Sequence, residues 1–66
     1  MIVVLNKKNT TWTFTDHGAV KQTKSGQFYY PEMPLGIEST NKFIDRLVEQ
    51  DWYFQGNQNY KDFKRL

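Results

Sequence analysis

Ser39-Thr-Asn-Lys-Phe-Ile-Asp-Arg-Leu-Val-Glu-Gln-Asp-Trp-Tyr-Phe54 is the stretch that decides the fold. Its apolar residues Phe43, Ile44, Leu47 and Val48 recur at i, i+1, i+4 and i+5, which makes one face of an α-helix. Ser39 is the expected N-cap, because its hydroxyl can accept from amides two or three residues on. Lys42 stands where a capping box would need Glu or Gln, so that second support is missing. At about 100° per residue Asp51 would fall in the middle of the apolar face. An unpaired carboxylate buried there would cost several kcal/mol. The helix is therefore expected to end near Gln50, with Asp51 in a turn and Trp52-Tyr-Phe54 as an extended aromatic segment.

Upstream, Thr10 to Thr15 alternates cleanly, with Trp12 and Phe14 on one side and Thr11, Thr13 and Thr15 on the other. This is the period of a half-buried strand. Ile2 to Leu5 is apolar without alternation and reads as a strand buried on both faces or paired centrally. The polar stretch Asn6-Lys-Lys-Asn9 joins the two as a hairpin connection. Asp16-His-Gly18 is a second turn. Ala19 to Lys24 is a weaker strand whose lysines suit an edge. Ser25-Gly26 predicts a further tight turn, followed by the aromatic strand Gln27 to Tyr30, which Pro31 ends. Pro31-Glu-Met-Pro-Leu-Gly36 is a connector without regular structure. After the polar loop 55–59, Tyr60, Phe63 and Leu66 are spaced for a short helix.

The expected fold is thus a small α+β domain over residues 1–66. A three- or four-stranded antiparallel β-meander carries one helix on the face of Trp12 and Phe14. A short C-terminal helical or extended aromatic segment closes one side. The expected core is Val3, Leu5, Trp12, Phe14, Phe43, Ile44, Leu47 and Val48.

The composition limits what such a domain can do. With 66 residues and no cysteine, neither a disulfide nor a thiolate metal site can support a thin core. Good packing or association with another chain must supply the stability, so a homo-oligomer stays open. Eleven aromatics must provide most of the buried area. No apolar run approaches the roughly 20 residues of a membrane span. No basic leader precedes the first strand, and a cytoplasmic setting is expected. Chains of this size without cysteine are common among phage-encoded and prokaryotic accessory proteins.

Catalytic chemistry finds little material. Asp16-His17 is the one pairing of a base with an acid, and neighbours in a turn rarely face each other; an exposed turn histidine is the simpler reading. Asp45 and Glu49 have the spacing to share a divalent cation but lack a third ligand, and Lys42 and Arg46 interleave with them as on a solvated helix face. The four glycines are isolated, so no phosphate-cradling loop exists. The expectation is a protein that is not an enzyme and holds no cofactor or metal.

Binding is the remaining class. The formal net charge is only +2 but unevenly spread. Four lysines face one aspartate over residues 1–27, two basic residues face five acids over 28–59, and three basic residues face one acid over 60–66. Lys7, Lys8, Lys21 and Lys24 are candidates for nucleic-acid contacts, with Trp12 or Phe28-Tyr-Tyr30 as stacking platforms. Lys24-Ser-Gly-Gln-Phe-Tyr-Tyr30 resembles a sheet-borne RNA-binding motif but lacks its Gly/aromatic alternation. The favoured reading is a regulator or inhibitor acting by protein–protein interaction on a larger partner. Each aromatic triplet on a strand must turn a member away from a one-sided core, which makes Tyr29, Tyr30, Trp52, Tyr53 and Phe54 the candidate contact residues.

Because the helix has only a few apolar residues to hold it, Leu47→Ala is expected to cost about 2–5 kcal/mol. An unchanged melting temperature in a thermal scan would show that the helix is misplaced.

Overall fold

A computed structural model describes residues 1–31 and 37–62. The chain is α+β, an antiparallel five-stranded sheet with one helix. The strands are β1 (Ile2–Lys7), β2 (Thr10–Thr15), β3 (Gly18–Thr23), β4 (Gly26–Tyr30) and β5 (Tyr53–Phe54). The helix α1 spans Ile37–Glu49, and a 3-10 turn spans Tyr60–Asp62. The order across the sheet is β4-β3-β2-β1-β5. The fifth strand exceeds the three or four expected, because the aromatic segment after the helix pairs with β1 rather than only lying beside it. Residues 63–66, and with them Phe63 and Leu66 of the expected C-terminal helix, lie outside the described residues, as does 32–36 of the expected connector.

Register decides which side chains meet the helix. Val3 lies opposite Phe14 and Leu5 opposite Trp12, while Phe14 lies opposite Ala19. These five, with Ile44 and Leu47, form the buried core. The rings of Trp12 and Phe14 stack at 5.5 Å, and Phe43 sets its edge against both, at 5.2 Å and 5.9 Å. Such edge-to-face contacts satisfy the ring quadrupoles and add to the area they bury. Phe43, Trp52, Phe54 and Tyr60 are half-buried around this centre. Val48, expected inside, is 39% exposed, since the sheet meets only a narrow stripe of the helix. Ala19 was missed because its strand has so little apolar character.

Several local expectations need correction. β1 is paired centrally, as one of its two expected forms has it, but it is not buried on both faces, with Ile2 59% exposed. β3, expected at an edge on account of Lys21 and Lys24, is interior, and β4 is the edge. Lys21 stays solvated at one end while its ammonium lies over the Trp12 ring at 5.7 Å, which lets an interior strand carry it. The helix begins at Ile37, so Ser39 lies within it and is not its cap. No proline or glycine separates Ile37 from Ser39, so nothing delays the start once Gly36 is passed.

The helix ends as the awkward position of Asp51 requires. Asp51 is exposed and takes φ +68°. Its amide donates to Val48 O at 3.1 Å, and the Trp52 amide donates to Leu47 O at 3.1 Å. This is a Schellman cap with aspartate where glycine is usual. The reversal turns Trp52 back onto the core that holds Leu47, the apolar contact that accompanies such caps. Lys7 Nζ adds a donor to Gln50 O at 2.6 Å, placing a cation at the negative end of the helix.

Two hairpins use one device. Thr15 and Thr23 each accept from the amide two residues on, at 3.1 Å and 3.2 Å. Each hydroxyl also donates to the carbonyl of the glycine three residues on, Gly18 at 3.1 Å and Gly26 at 3.4 Å. The two-residue turn between β3 and β4 is therefore Lys24-Ser25, one position earlier than Ser25-Gly26. Both glycines have positive φ, +137° and +149°, but their surroundings differ. A Cβ on Gly18 would lie 2.6 Å from Tyr30 O, whereas nothing lies within 4 Å of one on Gly26. Gly26→Ala should cost about 1–2 kcal/mol of backbone strain. Gly18→Ala should cost about 2–4 kcal/mol, because overpacking against the end of β4 adds to the strain. Urea unfolding of the two variants checks the order.

Candidate interaction surface

The face of the sheet turned away from α1 carries Ile2, Val4 and Asn6 from β1 and Thr11, Thr13 and Thr15 from β2. It continues through Gly18, Val20 and Gln22 of β3 to Gln27 and Tyr29 of β4. Tyr53, opposite Asn6, completes it on β5. None of these residues is charged. The lysines of the strands, Lys7 and Lys21, fall on the helix side, and Lys8, Asp16, His17 and Lys24 lie in turns. Among the described residues, no helix or strand packs on this face.

Tyr29 and Tyr53 are its most exposed aromatics, at 63% and 72%. They stand near opposite edges, four strand spacings or about 19 Å apart. A band of Val4, Thr13 and Val20, all half-buried, runs between them. The amides on this face are partly satisfied within it. Thr11 Oγ1 donates to Asn6 Oδ1 at 2.6 Å, and Asn6 Nδ2 to Gln55 Oε1 at 2.7 Å. Gln27 Nε2 donates to Gln22 Oε1 at 2.7 Å, and the Tyr29 hydroxyl donates to His17 O at 3.2 Å. Polar groups already bonded to one another lose less when a partner displaces water.

The five aromatic candidates are divided rather than gathered. Tyr29 and Tyr53, the middle members of the two triplets, project from the open face. Tyr30 is on the helix side with its ring 5.6 Å from Trp12. Phe54 stacks on Tyr60 at 5.6 Å, and Trp52 is half-buried against the core. Phe28, beside Tyr30 on the helix side, is 48% exposed.

The lysine candidates are not assembled into a groove. Lys7 is engaged with the helix C-terminus and Lys21 with Trp12. Lys8 and Lys24 sit on separate hairpin turns at the same end of the sheet. Lys8 takes φ +54° at the first central position of its turn, where a glycine is more usual. Trp12 lies under the helix and offers no stacking platform.

Two of the acids have local partners. Asp16 Oδ2 accepts from the N-terminal ammonium at 2.8 Å, an exposed pair that contributes little. Asp45, considered with Glu49 for a cation, accepts a short hydrogen bond from the Tyr60 hydroxyl. No group of three or more His, Cys, Asp or Glu residues gathers among the described residues. No helix there is long and apolar enough to cross a membrane.

The neutrality of the open face escapes a strand-by-strand reading, because it emerges only once register aligns the strands. The signal within reach was the threonine row of β2, whose outward positions carry no charge. No protein-family model matches the chain. No curated protein matches it, and no solved structure does.

The bond between Tyr60 and Asp45 gives a pH test of how the C-terminal turn is held to the helix. The Asp45 hydrogen bond, with burial and the carboxylate's charge, pushes the Tyr60 phenol up from 10.0 to about 12. The folded state then holds a proton that the unfolded state releases, so this contribution is complete below pH 10 and disappears toward pH 12. Tyr60→Phe should be less stable than wild type at neutral pH, and the gap should narrow over that window in chemical denaturation.

Proposed function

We propose that this chain is a small non-enzymatic binding module, a regulator or inhibitor that docks its open sheet face on a larger protein. The observation that carries this reading is the absence of any charged residue from that face. A chain with 24% charged residues would place several there unless they were kept away. Interface centres are depleted in charge and enriched in tyrosine, since a desolvated charge is costly and a tyrosine offers apolar area with a polar tip. Tyr29 and Tyr53 supply such anchors, and Val4, Thr13 and Val20 offer a flat apolar floor. Nucleic-acid binding has less support, because the lysines stand at helix-side and turn positions, away from the exposed tyrosines.

Affinity capture from a lysate of the source organism, with the captured protein identified and then titrated by calorimetry, tests the proposal. Thr13→Lys and Tyr53→Ala should each weaken the measured affinity by about tenfold or more. Arg46→Ala, on the exposed side of α1, should leave it unchanged. Equal binding by all four proteins would remove the open face from consideration. Strong retention on heparin that Lys8→Glu with Lys24→Glu abolishes would transfer the function to nucleic acid.

A further inference from the structure

Among the described residues, the pairing of the sheet leaves one edge unguarded. The Gln55 amide donates to Val4 O at 2.8 Å, so the main-chain groups of Val4 point away from β2. Antiparallel ladders alternate strictly. It follows that Leu5 bonds to Trp12, Thr13 to Val20, and Lys21 to Phe28 across successive pairs. The amides and carbonyls of Gln27 and Tyr29 therefore face outward from β4, and those of Gly26, Phe28 and Tyr30 face β3.

Natural edge strands are blunted by charge, proline, bulges or shortness. β4 has five residues, none charged and none proline, and both of its faces are exposed at Phe28 and Tyr29. The opposite edge is managed. β5 has two residues, and Asn57 Nδ2 caps Ile2 O beyond it at 3.3 Å.

We infer that β4 is a homodimer interface, in which two copies pair these strands antiparallel about a two-fold axis at Phe28. In that register Gln27 lies opposite the partner's Tyr29, and Tyr29 opposite the partner's Gln27. The outward amide and carbonyl of each are then satisfied, giving four hydrogen bonds. The two Phe28 residues form the central non-hydrogen-bonded pair, the type in which side chains approach closest. Each half-exposed Phe28 ring covers the other on the helix side, extending the row of Trp12 and Tyr30. The product is a ten-stranded sheet with both helices on one side and both open faces on the other.

A second copy fits this edge better than a foreign strand, because the outward-facing residues sit symmetrically about the most apolar one. Closure also follows. A two-fold contact uses both β4 edges and leaves only the short β5 edges outside, so the assembly stops at two. This inference concerns the edge of the sheet and does not depend on the function proposed for its face.

Sedimentation equilibrium over a range of concentrations should show a reversible monomer–dimer equilibrium. Phe28→Glu should raise the dimer dissociation constant by about 100-fold or more, since the two introduced carboxylates meet at the axis. Within one copy the new carboxylate lies opposite Lys21, so the fold, followed by circular dichroism, is retained. Tyr29→Pro removes an outward amide without touching the β3–β4 ladder and should weaken the dimer about tenfold. Cysteine is otherwise absent, so oxidation with diamide reads the register directly. Phe28→Cys should yield a disulfide-linked dimer. Tyr30→Cys should not, because its counterpart would lie about 13 Å away. A protein monomeric at every concentration overturns the inference, as does a dimer that Phe28→Glu leaves intact or that Tyr30→Cys crosslinks instead. Association only with a foreign strand would also count against it.

Discussion

The contact on which the rest depends is the aromatic seam between β2 and α1, where Trp12 and Phe14 stack on each other and Phe43 sets its edge against both. A domain of this length buries only about 60% of the surface its unfolded chain exposes, less than a larger domain does, so each large ring carries an unusual share of the hydrophobic gain. The placement of the other elements follows from that seam. Val3 and Leu5 are core residues because register puts them beside Phe14 and Trp12. Lys21 can occupy an interior strand because the same indole accepts its ammonium from above. Trp52 is drawn to the core by the helix cap at Asp51, which reverses the chain at the right residue.

The strands reach the seam in register through turns that hold themselves. In the two Thr-x-x-Gly hairpins the threonine hydroxyl bonds both inside and across its turn, so the turn geometry is held by local contacts alone. A slip by one residue would carry Trp12 and Phe14 to the other face and the threonines under the helix. The turns and the aromatic pattern thus select the same register, the agreement between local and global preference that a foldable sequence needs.

How much of this was legible depended on range. The alternation of Thr10–Thr15 and the helical spacing of Phe43, Ile44, Leu47 and Val48 are local, and both correspond to elements found, although Val48 lies at the exposed margin of its face. Asp51 was readable as a helix terminator because its cost inside the apolar face was large, although its left-handed conformation was not foreseen. The expected meander implied the order β4-β3-β2-β1, but neither the addition of β5 beside β1 nor the identity of the edge was legible. Lys21 and Lys24 made β3 look like an edge, yet an edge is defined by what pairs beyond it, and β4 comes later in the chain. The candidate contact residues were separated for a similar reason. Alternation says that a triplet must split, but only register says that Tyr29 and Tyr53 share a face while Tyr30 and Phe54 lie with the core.

Where the charges stand is the last consequence of that register. Two lysines fall on the helix side, where α1 supplies a carbonyl and β2 an indole to meet them. The remaining charges of the sheet half sit in turns. Stability alone does not require this, because a solvated sheet face accepts lysine or glutamate at no cost and gains solubility from them. Threonine and valine at its centre, with tyrosine near its rims, instead give a surface whose desolvation is inexpensive. The hydrogen bonds among Asn6, Thr11, Gln22, Gln27 and Gln55 lower that expense further, since those groups need fewer new partners once covered. A face built this way is easy to cover, and it is on that ease that the proposed docking rests.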